Sequence, residues 1–333
     1  MSRTVLVARL DNAGDVLLQG PLVRAVATGA DRVVFLASPQ GTAAAELLPG
    51  VDEVLTWRCP WIDGDPPPVD PADLAALTDR VRALGVDEAV ISTSFHQSPL
   101  PLALVLRLAG VARLSAISVD YPGSLLDVRH DVDDDLPEPE RALSLARAAG
   151  FDLPAGDDGR LAVRRPLPPV EQPGPYVVLH PGASVPARAW PAQRCAEAVE
   201  ALSDAGWRVL VTGGPGERGL TEAVAGSRGV DLGGGTSLAE MAALLAGAAA
   251  VVVGNTGPAH LAAAVGTPVV SLFSPVVPAA RWAPYGVRTV LLGDQTAPCR
   301  GTRARECPVP GHPCLDSVTA ADVVAAVGKV VAA

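Results

Sequence analysis

Residues 250–273 read AVVVGNTGPAHLAAAVGTPVVSLF. Ala250–Gly254 is a continuous apolar run of strand length. Pro258–Val265 is an Ala- and Leu-rich helix, and Val269–Phe273 is a second apolar run. Breakers separate them, first Gly254-Asn255-Thr256-Gly257-Pro258 and then Gly266-Thr267-Pro268. Strand, helix, strand in so short a stretch is a βαβ unit. Strands apolar on both faces belong to a parallel sheet with helices packed on each side. The surrounding stretch from Met241 to Ala280 lacks Lys, Arg, Asp and Glu, long enough to span a bilayer. The same breakers cut it into buried strand and helix pieces, so a membrane span is not expected.

Working outward, the second half repeats the alternation. Tyr176–His180 and Arg208–Thr212 are predicted strands; Gln193–Ala205, Glu217–Ala225, Leu238–Ala246 and Thr319–Val331 are predicted helices. The first half does the same. Strands are predicted at Thr4–Arg9, Arg32–Ala37, Glu53–Thr56, Glu88–Ser92 and Leu114–Ile117, and helices at Val16–Ala27, Thr42–Leu48, Asp73–Leu84 and Pro99–Ala109. Between the halves, Phe151–Pro175 carries Pro154, Pro166, Pro168, Pro169, Pro173 and Pro175, and reads as a connection with one short strand at Leu161–Val163. The organisation expected is an α/β chain of two doubly wound, Rossmann-like domains, 1–150 and 176–333, joined by 151–175, with a cleft between them. Ligands in such sheets sit beyond the carboxyl ends of the strands, where the polar motifs below fall.

A chain of 333 residues accommodates two cores. Its net charge of −10 gives no global field for nucleic acid or an anionic membrane. Contact with a membrane is at most peripheral. The run Val5–Ala8 is too short for a signal-peptide core, and five cysteines leave an odd thiol. Both features fit a reducing cytoplasm.

Three motifs carry chemistry. In Arg9-Leu10-Asp11-Asn12-Ala13-Gly14-Asp15, between the first strand and first helix, an aspartate either caps the helix or faces a ligand as a general base. Arg9, Asn12 and, on a later loop, His96 are candidates for the same ligand. In His180-Pro181-Gly182-Ala183-Ser184 with Arg188, small residues leave backbone N–H groups open to an anion. Ser184 adds a hydroxyl there and Arg188 a charge. In Gly254-Asn255-Thr256-Gly257-Pro258-Ala259-His260, a helix opening at Thr256-Gly257 is a phosphate site by its dipole and free N–H groups, with His260 about one turn in. Gly213-Gly214-Pro215-Gly216-Glu217 lies at another strand end. Gly214 would let a nucleoside approach, and Glu217 would either accept from a ribose hydroxyl or cap a helix; Asn255 is a further nucleoside candidate. Neither Gly-x-Gly-x-x-Gly after the first strand nor a Walker A sequence occurs.

These motifs, in this order, resemble glycosyltransferase family 9, the heptosyltransferase family, along nearly the whole chain. RLDNAGDVLLQGPLVRAV (9–26) resembles the family's N-terminal segment, HPGAS with RAWP (180–191) its first donor-side loop, and GNTGPAHLAAAVGTPVVSLFSP (254–275) its second. The resemblance implies GT-B architecture and inverting transfer from a nucleotide-diphosphate sugar, typically ADP-heptose, to a glycan, lipid-linked or small-molecule acceptor. It puts Asp15 at the base position, Ser184 and Arg188 in the donor-phosphate loop, and Thr256, Gly257 and His260 at the diphosphate helix. Asn255 stands where many relatives carry Asp.

No carboxylate cluster suited to Mg²⁺ lies near these loops, so no metal and no cofactor are expected. Cys299, Cys307, His312 and Cys314 would suit a Cys₃His zinc site in type. Their spacing is loose and Arg300, Arg303 and Arg305 intervene, so packed thiols are expected instead. Two other functions fit a two-domain α/β chain: a sugar-nucleotide epimerase, which needs several acid–base groups around the sugar, and a non-catalytic two-lobe ligand-binding protein.

Overall fold

The apolar runs of the first half form one parallel sheet, since each Val/Leu strand is buried on both faces by the helices that follow it. A computed structural model describes residues 2–132, 136–172 and 174–332; Pro173 of the proline-rich segment and the terminal Ala333 lie outside the described residues. The chain divides into two compact units, Met1–Arg164 and Arg165–Ala333. Residues 151–164 thus belong to the first unit rather than to a free connection. The strand expected at Leu161–Val163 does not form. That segment is irregular, buries Leu161 and Val163, and is tied down by Arg164 N–H donating to the Leu47 carbonyl at 2.7 Å.

The first unit runs β1 (Thr4–Arg9), α1 (Ala13–Leu17), α2 (Gly20–Ala27), β2 (Arg32–Ala37), α3 (Thr42–Leu47), β3 (Glu53–Thr56), α4 (Pro71–Leu84), β4 (Glu88–Ile91), α5 (Leu100–Leu108), β5 (Arg113–Ile117), β6 (Val128–His130) and α6 (Glu138–Ala149). Its strand order is β3-β2-β1-β4-β5-β6. Local chemistry sets the helix ends. Before α4, the Asp70 side chain accepts from Ala72 N–H at 2.9 Å, Pro71 fills the first position, and Gly85 closes the helix at φ 64°. The single helix expected over Val16–Ala27 is instead two, broken at Leu18-Gln19.

The second unit runs β7 (Tyr176–His180), α7 (Ala192–Asp204), β8 (Arg208–Val211), α8 (Arg218–Ala225), β9 (Val230–Asp231), α9 (Leu238–Gly247), β10 (Ala250–Gly254), α10 (Gly257–Val265), β11 (Val269–Leu272), α11 (Ala279–Trp282), β12 (Thr289–Leu292), α12 (Pro313–Asp316) and α13 (Ala320–Ala332). Its order, β12-β11-β10-β7-β8-β9, is the same topology as the first sheet. In each sheet the order in which strands are added reverses at one parallel pair of neighbours, β1/β4 and β7/β10, and the loops leaving those strands diverge there. Among the described residues no helix is long and apolar enough to cross a membrane.

Candidate functional site

In the first unit, Arg9 ends β1 with its side chain wholly buried. A guanidinium out of water must be paired, and three carboxylates converge on it. Asp11 lies 2.6 Å from Nε, Asp15 3.0 Å from Nη2 and Glu138 3.8 Å from Nη1. Arg9 also donates to the Ser94 hydroxyl at 2.8 Å and the Ser92 hydroxyl at 3.5 Å. Burial alone would lower the Arg9 guanidinium; Asp11, Asp15 and Glu138 outweigh it and hold the group above its ordinary value. Arg141, one turn after Glu138 on α6, donates to the Thr93 carbonyl at 2.8 Å and lies 3.8 Å from Glu138.

This network corrects one expectation. Arg9 cannot meet an acceptor, because none of its side chain reaches solvent. Asn12 and His96 are exposed on the loops after β1 and β4, and His96 stands edge-on to Phe95 with ring centroids 5.4 Å apart. Asp15 sits in the first turn of α1 with its side chain on Arg9, 24% exposed. Asn12, preceding the helix, makes no side-chain cap bond.

In the second unit, β7 ends at buried His180, whose Nδ1 is 3.1 Å from the Thr212 hydroxyl. Burial holds His180 below its ordinary range, opposed by Glu217, whose carboxylate is 3.9 Å from Nε2. Glu217 Oε2 accepts from Gly214 N–H at 2.7 Å. A Cβ at Gly182 would fall 2.0 Å from Glu217 Oε1, so only glycine lets that carboxylate rest there. Through its bond from Gly214 N–H, Glu217 ties the 3-10 turn Pro215–Glu217 to Gly214, while its side chain makes no cap bond to α8.

The other two motifs come together. Arg188 ends the 3-10 turn Pro186–Arg188, which is anchored by Ala187 N–H donating to the Arg305 carbonyl at 2.9 Å. The Arg188 carbonyl passes 3.0 Å from where a Cβ of Gly254 would stand, so glycine at the end of β10 permits the approach. His260, buried one turn into α10, is held down to about 4, first by burial and then by the charge of Arg188. Among the described residues, three buried polar atoms at this helix start find no hydrogen-bond partner: Asn255 Nδ2, Thr256 Oγ1 and His260 Nδ1. Unsatisfied groups of this kind cost about 1–3 kcal/mol each unless a ligand meets them. Ser184 is exposed on the same loop as Arg188, and Gly257 opens α10.

The thiols of the cysteine set lie near one another, Cys314 sensing both Cys299 and Cys307. Among the described residues no three His, Cys, Asp or Glu side chains form a group able to hold a metal ion. Cys314 is pushed up to about 11 by burial and by contact with Cys299, Cys307 Sγ donates to the Val309 carbonyl at 3.3 Å, and the His312 ring lies 3.2 Å from the Ala187 carbonyl. These thiols and His312 pack behind the Arg188 turn. Sequence reasoning missed Glu138, Arg141, Ser92, Ser94 and Gln97; the polar run Ser92-Thr93-Ser94 directly after an apolar strand was the available signal.

Two parallel six-stranded units of this topology, each with polar loops at its switch point, make up the GT-B fold. The chain belongs to glycosyltransferase family 9 (heptosyltransferase), whose sequence model matches residues 103–312. It is 37% identical over 167 residues to lipopolysaccharide heptosyltransferase 1 of Pseudomonas aeruginosa, covering 46% of this chain and 44% of that protein. The chain thus spans about half the length of the curated relatives it matches. Among solved structures, Escherichia coli heptosyltransferase WaaC with ADP-2-deoxy-2-fluoro heptose shares the fold at TM-score 0.74 and 20% identity, over 98% of this chain and 99% of that one. The iron-containing dodecameric glycosyltransferase TibC of enterotoxigenic E. coli is more distant, at TM-score 0.54 and 16% identity, over 99% and 76% of the two chains.

Proposed function

We propose that this chain is an inverting, metal-independent heptosyltransferase that transfers heptose from ADP-heptose to a hydroxyl of a glycan, lipid-linked or small-molecule acceptor in the cytoplasm. The observation that carries the reading is the start of α10. Asn255 Nδ2, Thr256 Oγ1 and His260 Nδ1 lie buried and unpartnered beside Arg188, which is the donor set a diphosphate requires at a helix N-terminus. Neutral His260 has one N–H to give. Arg188 supplies the formal charge. The ADP-2-deoxy-2-fluoro heptose named with the solved WaaC relative supports adenosine as the base and heptose as the sugar.

In the reaction, the Asp15 carboxylate takes the proton of the acceptor hydroxyl as its oxygen bonds to the anomeric carbon. The bond from that carbon to the diphosphate oxygen breaks on the opposite face, and ADP departs. Charge gathers on the leaving diphosphate, where Arg188 and the α10 dipole stabilise it as preorganised groups. Calorimetry with ADP, UDP, GDP and dTDP tests the donor half: ADP should bind at least tenfold more tightly than the others. Equal affinities, or none, would remove the adenine assignment.

A further inference from the structure

We infer that Arg9 is a positioning residue for Asp15, a wholly buried cation that fixes the place and the charge of that carboxylate and is shared with two other acids. The inference rests on the reading of Asp15 as the base. The guanidinium fork spans its acids, with Nε on Asp11 and Nη2 on Asp15. One rigid group thereby sets the spacing of two carboxylates on the β1–α1 segment. The three acids are not equivalent. Glu138 is 1% exposed and Asp11 12%, whereas Asp15 is 24% exposed. Asp11 also accepts from Gln97 Nε2 at 2.6 Å. Asp15 is the member of the set that reaches furthest toward solvent, and the other two complete the cage around the cation.

The charges on this group come from three elements. Asp11 follows β1, Asp15 lies on α1, and Glu138 and Arg141 lie on α6. The segment after β4 contributes Ser92, Ser94 and Gln97 to these contacts and carries the titratable His96. Beyond them, Cys59, its thiol pushed up to about 12 chiefly by burial, feels Asp11. His130 on β6, held below its ordinary range by burial, feels Arg141. Three carboxylates thus face two guanidiniums. Neutralising Glu138 leaves more of Arg9 for Asp15, and removing Arg9 leaves Asp15 among acids. The two changes act on the Asp15 proton in opposite directions.

The experiment labels aspartate carboxyl carbons with ¹³C, identifies the Asp15 signal by its loss in Asp15→Asn, and follows that signal with pH. Glu138→Gln, nearly isosteric, should move the Asp15 midpoint down by about 0.5 to 1 pH unit, and Arg9→Gln should move it up by at least as much. A role of Arg9 in holding α6 to β1 alone would lower Tm in both variants without opposed shifts. Should Arg9→Gln fail to fold, Glu138→Gln decides by itself: an Asp15 midpoint within about 0.2 pH unit of wild type overturns the inference. The titration uses no substrate, so it is separate from the base assignment. ADP-heptose turnover by Asp15→Asn tests that assignment, and near-wild-type turnover would sink it while leaving the Arg9–Asp15 result standing.

Discussion

Truncating Arg188 to alanine isolates the charge that the second unit brings to a diphosphate. The backbone at this position stays as it is, because the turn is held by Ala187 N–H on the Arg305 carbonyl and the Arg188 carbonyl remains against Gly254. The half-buried side chain already lies close enough to His260 to lower its proton affinity, so little ordering is needed when a ligand arrives. Hydrogen bonds to charged groups contribute about 1.5–3 kcal/mol. A loss near 2 kcal/mol corresponds to a roughly 30-fold weaker Kd for ADP. AMP, with fewer charges to meet, should lose less, and adenosine almost nothing. Isothermal calorimetry of the three ligands against wild type and Arg188→Ala reads the gradient. Equal losses across the series would mean that Arg188 serves the base or the fold, and the placement of the diphosphate at α10 would be wrong.

Three other outcomes follow from the same geometry. Asp15→Asn should keep ADP affinity within about twofold of wild type while turnover falls on the order of 10² to 10⁴, the range for a lost general base; turnover within threefold would take Asp15 out of the mechanism. Activity should survive exhaustive treatment with EDTA, and loss restored by Mg²⁺, Mn²⁺ or iron would overturn the metal-independent reading of the leaving-group chemistry. Native His260 takes up a proton only near pH 4, against about 6.5 when unfolded. As pH falls the unfolded chain protonates first, so this contribution is full above 6.5 and shrinks toward 4 by about 3 kcal/mol. Urea unfolding at pH 7, 5.5 and 4.5 should show that slope reduced in His260→Gln, and an identical slope would remove His260 as its source.

The sequence was most legible where burial was complete. β1, β2, β7 and β10 are buried along nearly their whole length, so their Val and Leu runs carried an unmixed signal. Of the four edge strands, β3 was legible and the other three were not. β6 is three residues with no buried position, β9 is two residues, and β12 is at best half-buried; an edge strand needs less apolar surface and leaves a weaker pattern. α6 escaped for another reason. Its proline and acidic first turn and Gly150 at φ 100° are ordinary helix signals, but they follow an acidic stretch and the helix buries Glu138 and Arg141. Charged residues on an inward face contradict the apolar periodicity by which helices are read.

The same contrast separates the two halves of the candidate site. The donor motifs are contiguous pieces of sequence, since a helix start presents backbone N–H groups whatever lies elsewhere, and chain order alone puts them after β7 and β10. What the motifs could not convey is that β7 and β10 are neighbours, which brings Arg188 to His260 and leaves the polar atoms of Asn255, Thr256 and His260 without partners. The aspartate network is the opposite case. Arg9 was read as a ligand contact from its place in the motif at the end of the first strand. Its partner Glu138 comes from a helix far along the chain, and the pairing exists only once α6 packs back against the first strand. A buried cation surrounded by acids is costly to assemble and strongly destabilising to break. The fold tolerates it at the switch point of the first sheet, where Asp15 remains the carboxylate most open to solvent, and this is the placement a base acting on an incoming hydroxyl requires.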